Sequence, residues 1–500
     1  MGNRKELLDY IWNAQFKLSF GYSFSSIHTT AYSLIALQEM NLAYHYPIIY
    51  WNCACLSVDS SAISDEDFYN LIDDDIVDIS DNEDKKIANK MDYAKMAEAL
   101  SRFKKVCKID MPDINKSRLS FTPDVETNTI LYGLKGICQI TDPTIKEIMA
   151  NRPFNSFKDF LNKITKKTIT KSKVINLIKC GAFDKIEHKD RKEILKDYLW
   201  STCEPKKRLT MQNAASLIER NLFPDELSYY CDVYNLTKEL RRHRDDEKIW
   251  YCGDRLDIPE DKFESWKKIL QDSKIVPQSI IIKGEERKVI DSSRWDSFYK
   301  QSMVPLQTYI KSHHDEMLEK LNNSLFHDEW MKYTNDMDEN VWELDSMNFF
   351  FHKHPLSNMI PQIESKEGIN ISRLDEIVEG AADGQFIIKG KIIPKMKLYT
   401  IVGVVIDRDK VKGIVSLQCP SGVINLKIYK DLYSTMVQVV PREDGTLQDS
   451  FFEKGVYLMV TGILRGSTFI PKVYKNLKRP AIEKINISRD GKLIGLEEKL

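Results

Sequence analysis

Residues 400–429 read TIVGVVIDRDKVKGIVSLQCPSGVINLKIY. Three β-branched runs, Thr400–Asp407, Gly413–Cys419 and Val423–Tyr429, are divided by a charged turn and by Ser421-Gly422. Such runs bounded by Gly, Asp and Ser read as strands joined by tight turns. Two more, Val456–Leu464 and Thr468–Tyr474, flank Arg465-Gly466. Five short strands, with the longest interval after the third, predict a small β-barrel.

Upstream of about residue 386 the pattern is helical. Residues 4–58 carry Leu34, Leu37 and Leu42 among recurrent aromatics, and helix is predicted again over Met91–Lys108. Phe121–Tyr132 reads as a short strand pair around Thr127-Asn128. From Thr144 to Trp200, short helices are interrupted at Pro153, Thr168–Thr170 and Gly181. Residues 201–345 are charged and helical. Five hundred residues exceed what one core serves, so about three domains are expected.

Composition narrows the class. The apolar share of 42% is that of an ordinary globular chain. No apolar run approaches the roughly 20 residues that span a bilayer, and Met1-Gly2-Asn3-Arg4-Lys5-Glu6 opens no signal peptide. A cytoplasmic chain without membrane contact is expected. Nine scattered cysteines, of which only Cys53 and Cys55 are close, predict reduced thiols rather than a zinc or redox motif. The net charge of −1 hides local bias. Asp59–Asp84 holds eleven Asp or Glu and no Lys or Arg, which predicts a solvent-exposed insertion. Asp73-Asp74-Asp75 lacks the alternating ligands and central Gly of a calcium loop. Phe386–Arg479 holds sixteen Lys or Arg against seven Asp or Glu, a balance that attracts phosphate.

Three segments resemble one family. The first is Gly21-Tyr22-Ser23-Phe24-Ser25-Ser26-Ile27-His28-Thr29-Thr30-Ala31-Tyr32, continuing to Gln38 and His45-Tyr46-Pro47. The second runs Pro112-Asp113-Ile114-Asn115-Lys116-Ser117, then Tyr132-Gly133-Leu134, Arg152-Pro153-Phe154 and Leu177-Ile178-Lys179-Cys180-Gly181-Ala182-Phe183-Asp184. The third is Phe349-Phe350-Phe351-His352-Lys353-His354-Pro355-Leu356, just ahead of the predicted barrel. In this order they resemble the C-terminal half of the alpha subunit of bacterial DNA polymerase III. His352 and His354 have no ligand-type residue at supporting spacing, so a metal site is not read there.

The resemblance implies an α+β multidomain fold. It would comprise a helical fingers segment over 1–110 with an acidic insertion at 59–84, and a tandem helix-hairpin-helix region over 111–200. A helical connector would follow over 201–380, then an oligonucleotide-binding (OB) five-stranded barrel over 381–480 and a polar tail over 481–500. In the family, His28, Tyr32 and Gln38 would lie near the incoming nucleotide and template. The second helix-hairpin-helix unit, with Lys163, Lys166, Lys167, Lys171 and Lys173, would hold duplex DNA through backbone amides without reading bases. The first has Gln139-Ile140-Thr141 where the family has Gly-x-Gly, and is expected to be structural. On the barrel, Tyr399 and Tyr429 are candidates to stack single-stranded bases, with Lys397, Lys427, Lys430 and Arg465 meeting the backbone.

The family's metal-binding carboxylates lie upstream of its fingers segment, so no catalytic residue, metal or cofactor is assigned here. Magnesium is expected on a separate N-terminal alpha-subunit polypeptide, with this chain a split or truncated product, phage-encoded in one reading. Gln448-Asp449-Ser450-Phe451-Phe452 resembles a sliding-clamp peptide, although its aromatics also suit a barrel core. Two functions therefore stand side by side: the DNA-gripping part of a replicative polymerase, and a stand-alone DNA-binding accessory protein.

Overall fold

A computed structural model describes residues 3–16, 26–60, 92–209, 211–247, 255–258, 263–282, 285–336, 339–388, 391–474, 479–488 and 492–499. The chain divides into two units, Met1–Lys192 with Met337–Leu500, and Glu193–Asp336. The acidic stretch falls, from residue 61 on, outside the described residues.

The first unit begins with the helices Asn3–Tyr10, Ser26–His45, Ile48–Asp59 and Tyr93–Phe103. Asp92 caps the last of these, its carboxylate accepting from the Lys95 amide at 3.0 Å. A small sheet follows, with strands β1 (Lys108–Asp110), β2 (Thr122–Asp124) and β3 (Thr129–Leu131) in the order β1-β3-β2. β2 and β3 pair antiparallel around Asn128, a left-handed turn residue with φ 50°. Three short helices come next: Asp142–Ala150, Phe157–Lys163 and Lys171–Lys179.

The unit Glu193–Asp336 carries a finding beyond its predicted helices. Strands β4 (Arg255–Ile258), β5 (Gln278–Ile282) and β6 (Glu285–Asp291) form an antiparallel sheet in the order β4-β6-β5. Trp295, Trp266, Leu240 and Val233 fill its core, and the Trp295 indole N–H donates to Thr237 Oγ1 at 3.1 Å. The helical reading of this stretch was incomplete, because charged residues mask the strand period in Glu285–Asp291.

The first unit resumes with the helix Glu339–Met347, then the hairpin β7 (Ala382–Ile388) and β8 (Lys391–Met396). Next come β9 (Tyr399–Asp409), β10 (Ile414–Cys419) and β11 (Gly422–Lys427), with a helix at Lys430–Val437. A two-residue pair follows, β12 (Val440–Pro441) and β13 (Leu447–Gln448), before β14 (Tyr457–Arg465) and β15 (Thr468–Pro471). β9, β10, β11, β15 and β14 close on themselves: β11 pairs with β15 in parallel, and β14 pairs with both β15 and β9. A five-stranded ring with one parallel pair and a helix before the fourth strand is the predicted OB-type barrel.

Two glycines let it close. A Cβ at Gly403 would come within 2.9 Å of the Gln418 carbonyl, and one at Gly462 would press on that of Ile470. Phe451, Phe452 and Phe469 are fully buried in the barrel with Val405, Leu417 and Leu458. Each aromatic contributes about 1.5–3 kcal/mol by leaving water.

The end of the chain corrects the sequence reading. Residues 481–500 are not a polar tail: β16 (Ile482–Ile487) pairs with β14, and β17 (Leu493–Glu497) pairs with β16. The physical reason is the free edge of β14 below Gly462, which β15 does not reach and which β16 covers, burying Ile482 and Ile485.

Candidate nucleic-acid interface

The helical hairpins are fixed from below by polar clamps. The Asn115 side chain brackets Phe154, donating to its carbonyl and accepting from its amide, both at 2.8 Å. Phe154, Phe160 and Phe183 pack edge to face with centroids 5.1 Å apart. The helix Lys171–Lys179 ends at Gly181, φ 75°, where the Ala182 amide reaches back to the Leu177 carbonyl at 3.1 Å. Only a residue at ease in the left-handed region closes a helix this way. Ala182 and Phe183 then turn into the core.

The hairpin between Phe157–Lys163 and Lys171–Lys179 leaves Lys166 and Lys167 exposed. Its entry is held by Glu147, whose carboxylate accepts the Thr165 amide at 2.7 Å. The Thr168 hydroxyl, then that amide, hold the Glu147 carboxyl below its ordinary range. The other lysines differ in position. Lys163 donates to the Pro153 carbonyl at 2.7 Å, pairs with Asp159 at 2.9 Å and lies over the Phe154 ring. Lys173 points inward, to Thr144 Oγ1 at 2.8 Å and the Thr168 carbonyl at 3.0 Å. Lys171 is half-buried at the first position of its helix. Lys166 and Lys167 thus project from the hairpin, while Lys163 and Lys173 hold it together.

The earlier hairpin, at Gln139-Ile140-Thr141, keeps a glycine-like backbone without glycine: Gln139 has φ 66°. Asp142 stands in the first turn of the helix that follows. A carboxylate there occupies the end of the helix dipole that would otherwise draw a phosphate.

On the helix Ser26–His45, the rings of His28 and Tyr32 meet edge to face with centroids 4.6 Å apart. At about 100° per residue, Gln38 lies on a different side of that helix. All three are exposed.

The barrel sorts its candidates. Tyr429 is 70% exposed two residues past the end of β11, ahead of the helix Lys430–Val437, with Lys427 and Lys430 exposed beside it. Tyr399 corrects the sequence reading: it is 6% exposed, packed in the barrel core, and its hydroxyl oxygen accepts the Val378 amide at 3.3 Å. A ring so covered has no face for a base. The side chain of Lys397 lies over it, 5.0 Å from the centroid. Arg465 ends β14 in the turn before β15, at the opposite end of β15 from Lys472. The clamp-peptide reading is corrected too. Phe451 and Phe452 are fully buried and Gln448 is buried with them, so this segment offers no anchor to a partner.

His354 and His352 serve the junction ahead of the barrel. His354 accepts the Leu356 amide at Nδ1, 3.2 Å away, and its Nε2 lies 2.9 Å from the Gln418 carbonyl. His352 Nδ1 meets Glu343, whose carboxylate also takes the Phe351 amide at 2.8 Å. Among the described residues no three His, Cys, Asp or Glu side chains are gathered for a metal. Nor is any described helix long and apolar enough to cross a membrane.

Residues 107–194 match the family model of the helix-hairpin-helix motif. Over 495 residues, 95% of the chain, the sequence is 34% identical to "Probable DNA polymerase YorL" of Bacillus subtilis, of which it covers 35%. The same figures hold for the "DNA-directed DNA polymerase" of Bacillus phage SPbeta. Against the DNA polymerase III subunit alpha of Aquifex aeolicus, identity is 31% over 198 residues, 39% of the chain and 14% of that protein. The chain resembles the C-terminal half of the DNA polymerase III alpha subunit. It spans about a third of the length of the Bacillus subtilis and phage SPbeta relatives.

Sequence reasoning found the hairpin and the barrel but missed the hairpin of β7 and β8. Its signal was present in Phe386-Ile387-Ile388 and Ile392-Ile393, an apolar triplet and an apolar pair too short to stand apart from the barrel strands.

Proposed function

We propose that this chain is the DNA-gripping part of a template-directed DNA polymerase, working with an N-terminal alpha-subunit polypeptide that carries the catalytic carboxylates and their magnesium ions. Two such ions stabilise the attacking and leaving oxygens of phosphoryl transfer. Here the hairpin with Lys166 and Lys167 would hold duplex phosphates, and the barrel face around Tyr429 would hold the single strand.

One observation carries the reading. The helix Ser26–His45 is apolar on every side: Leu34, Ile35, Leu37, Met40 and Leu42 each stand at least half exposed, with Tyr32 and Tyr44. A helix apolar all round is one built to be enclosed. A patch of this kind on a soluble chain marks a surface made for another polypeptide. His28 and Tyr32 lie on the same helix, so the partner that covers it would also bring the fingers residues to its active centre.

The test is primer extension with magnesium and all four nucleotides. The chain alone is expected to be inactive, and co-expression with the N-terminal remainder of a matching polymerase should yield an active complex. Extension by the pure chain alone would overturn the proposal. So would a chain that binds DNA yet never associates with that polypeptide, which is the behaviour of a stand-alone accessory protein.

A further inference from the structure

The β7–β8 hairpin stands as a two-stranded sheet of its own. Such a ribbon is marginal in water unless something lies against it. Its register sets Phe386 opposite Ile393 and Ile388 opposite Lys391. Residues opposite each other, and residues two apart, share a face. One face of the hairpin therefore presents Phe386 with Lys391 and Lys395.

That face meets the chain just past β15. The rings of Phe386 and Tyr474 pack edge to face with centroids 5.3 Å apart, and the Tyr474 hydroxyl donates to the Met396 carbonyl at 2.8 Å. Two ammonium groups flank the same ring: Lys395 Nζ lies 5.7 Å and Lys472 Nζ 5.5 Å from the Tyr474 centroid. Among the described residues neither lysine is in an ion pair, and the same holds for Lys391 and Lys397. Cations gathered at an aromatic pair without carboxylates repel one another and lower the cost of bringing in an anion. The apolar and ring surfaces call for flat, stackable groups. Both demands are met by one ligand class, single-stranded nucleic acid.

Register places this cluster beside the barrel's own candidate. Leu426 of β11 pairs with Phe469 of β15 in parallel. Tyr429 lies three residues past the first and Lys472 three residues past the second, so both leave the barrel in the same direction.

We infer that the β7–β8 hairpin is a second single-strand contact, in which Phe386 and Tyr474 stack bases and Lys395 and Lys472 meet the phosphates of a strand continuing from Tyr429. The inference rests on the proposed single-strand role of the barrel. It adds a separate site and a longer footprint.

The experiment uses the full chain and fluorescein-labelled oligo(dT) of about 8 and about 25 nucleotides, read by anisotropy over a salt series. Site sizes of roughly 4–16 nucleotides per barrel make the shorter probe a barrel ligand and the longer one able to reach the hairpin. Phe386→Ala should weaken binding of the long probe by about five- to a hundredfold, the loss of one stacked base, and leave the short probe nearly unchanged. Phe386→Trp should keep the affinity, which separates loss of stacking from collapse of the hairpin. Lys395→Glu with Lys472→Glu should lower the salt slope for the long probe by about 1.4, or about 0.7 per phosphate. If these variants bind the long probe as the parent does while Tyr429→Ala weakens both probes, the hairpin site is refuted and the barrel reading stands. If Tyr429→Ala has no effect on either probe, the barrel reading fails and this inference fails with it.

Discussion

His354 is expected to make this protein acid-sensitive through one ring. It is 6% exposed, and burial pushes its pKa from the ordinary 6.5 down to about 4, against the opposing pull of the Gln418 carbonyl. Its two contacts fix the tautomer. Nε2 carries the hydrogen and donates to the Gln418 carbonyl, leaving Nδ1 bare to accept the Leu356 amide. A second proton on Nδ1 would face that amide hydrogen and end the cap of the turn Pro355–Asn358. Folding therefore favours the neutral ring. Stability from this group is complete above about pH 6.5, where folded and unfolded rings are both neutral. It falls as the pH drops, because the unfolded ring takes a proton first, and the loss ends near pH 4. From 6.5 to about 4 the whole effect is about 3 kcal/mol, most of it gone by about pH 4.5. Two compact units need not unfold together, so a local probe is required. Hydrogen exchange at the Leu356 amide, corrected for the intrinsic pH dependence of exchange, provides it. Between pH 7 and about pH 4.5 the parent should lose about 2–3 kcal/mol of protection more than His354→Gln, whose side chain does not titrate. Equal losses in the two proteins, or a His354 ring that titrates near its ordinary value by NMR, would refute the argument.

Other outcomes follow from particular contacts. Gly181→Ala should cost about 1–3 kcal/mol in chemical denaturation, since φ is 75° and the new Cβ would meet the Arg191 guanidinium; an unchanged midpoint would show that the turn relaxes freely. Lys166→Glu with Lys167→Glu should weaken duplex binding alike for unrelated sequences and lower the salt slope by roughly 2, whereas the same change at Lys163 and Lys173 should appear mainly as lost stability. Equal effects of the two pairs on binding and on melting would contradict the division drawn from their contacts. Tyr399→Ala should lower barrel stability by about 3–5 kcal/mol as a buried aromatic, while Tyr429→Ala should leave the melting temperature nearly unchanged.

The barrel was legible because its strands are β-branched runs bounded by turn residues: the observed Ile414–Cys419 falls within its predicted segment, and Gly422–Lys427 overlaps the predicted Val423–Tyr429, starting one residue earlier and ending two earlier. Gly181 was legible for a similar reason, as few residues close a helix in the left-handed region. Which tyrosine faces out was not legible. Tyr399 and Tyr429 both sit at or near strand ends, and only the pairing of Tyr399 with Gly462 turns its ring into the core. The lysine run misled in the same way: sequence counts charges, while partners such as Asp159 and Thr144 decide which of them reach solvent. β16 and β17 were hidden because Lys484, Arg489, Asp490 and Lys492 outweighed the Ile482, Ile485 and Leu496 pattern, and the β14 edge they cover does not exist in one dimension.

The first unit leaves off at Lys192 and resumes at Met337, and this has a consequence for synthesis. The hairpin region completes its core with residues that come much later: the Cys138 amide donates to the Ser346 carbonyl at 2.7 Å, and Lys179 pairs with Asp345 at 3.0 Å. At roughly 5–20 residues per second, the ribosome delivers those partners on the order of ten seconds or more after the hairpins emerge. The intervening unit, which has a hydrophobic core of its own, can fold in that interval. The nascent chain would then carry a finished inner domain while the older segment around it waits, its apolar seam open to chaperones, for the far side of its core to arrive.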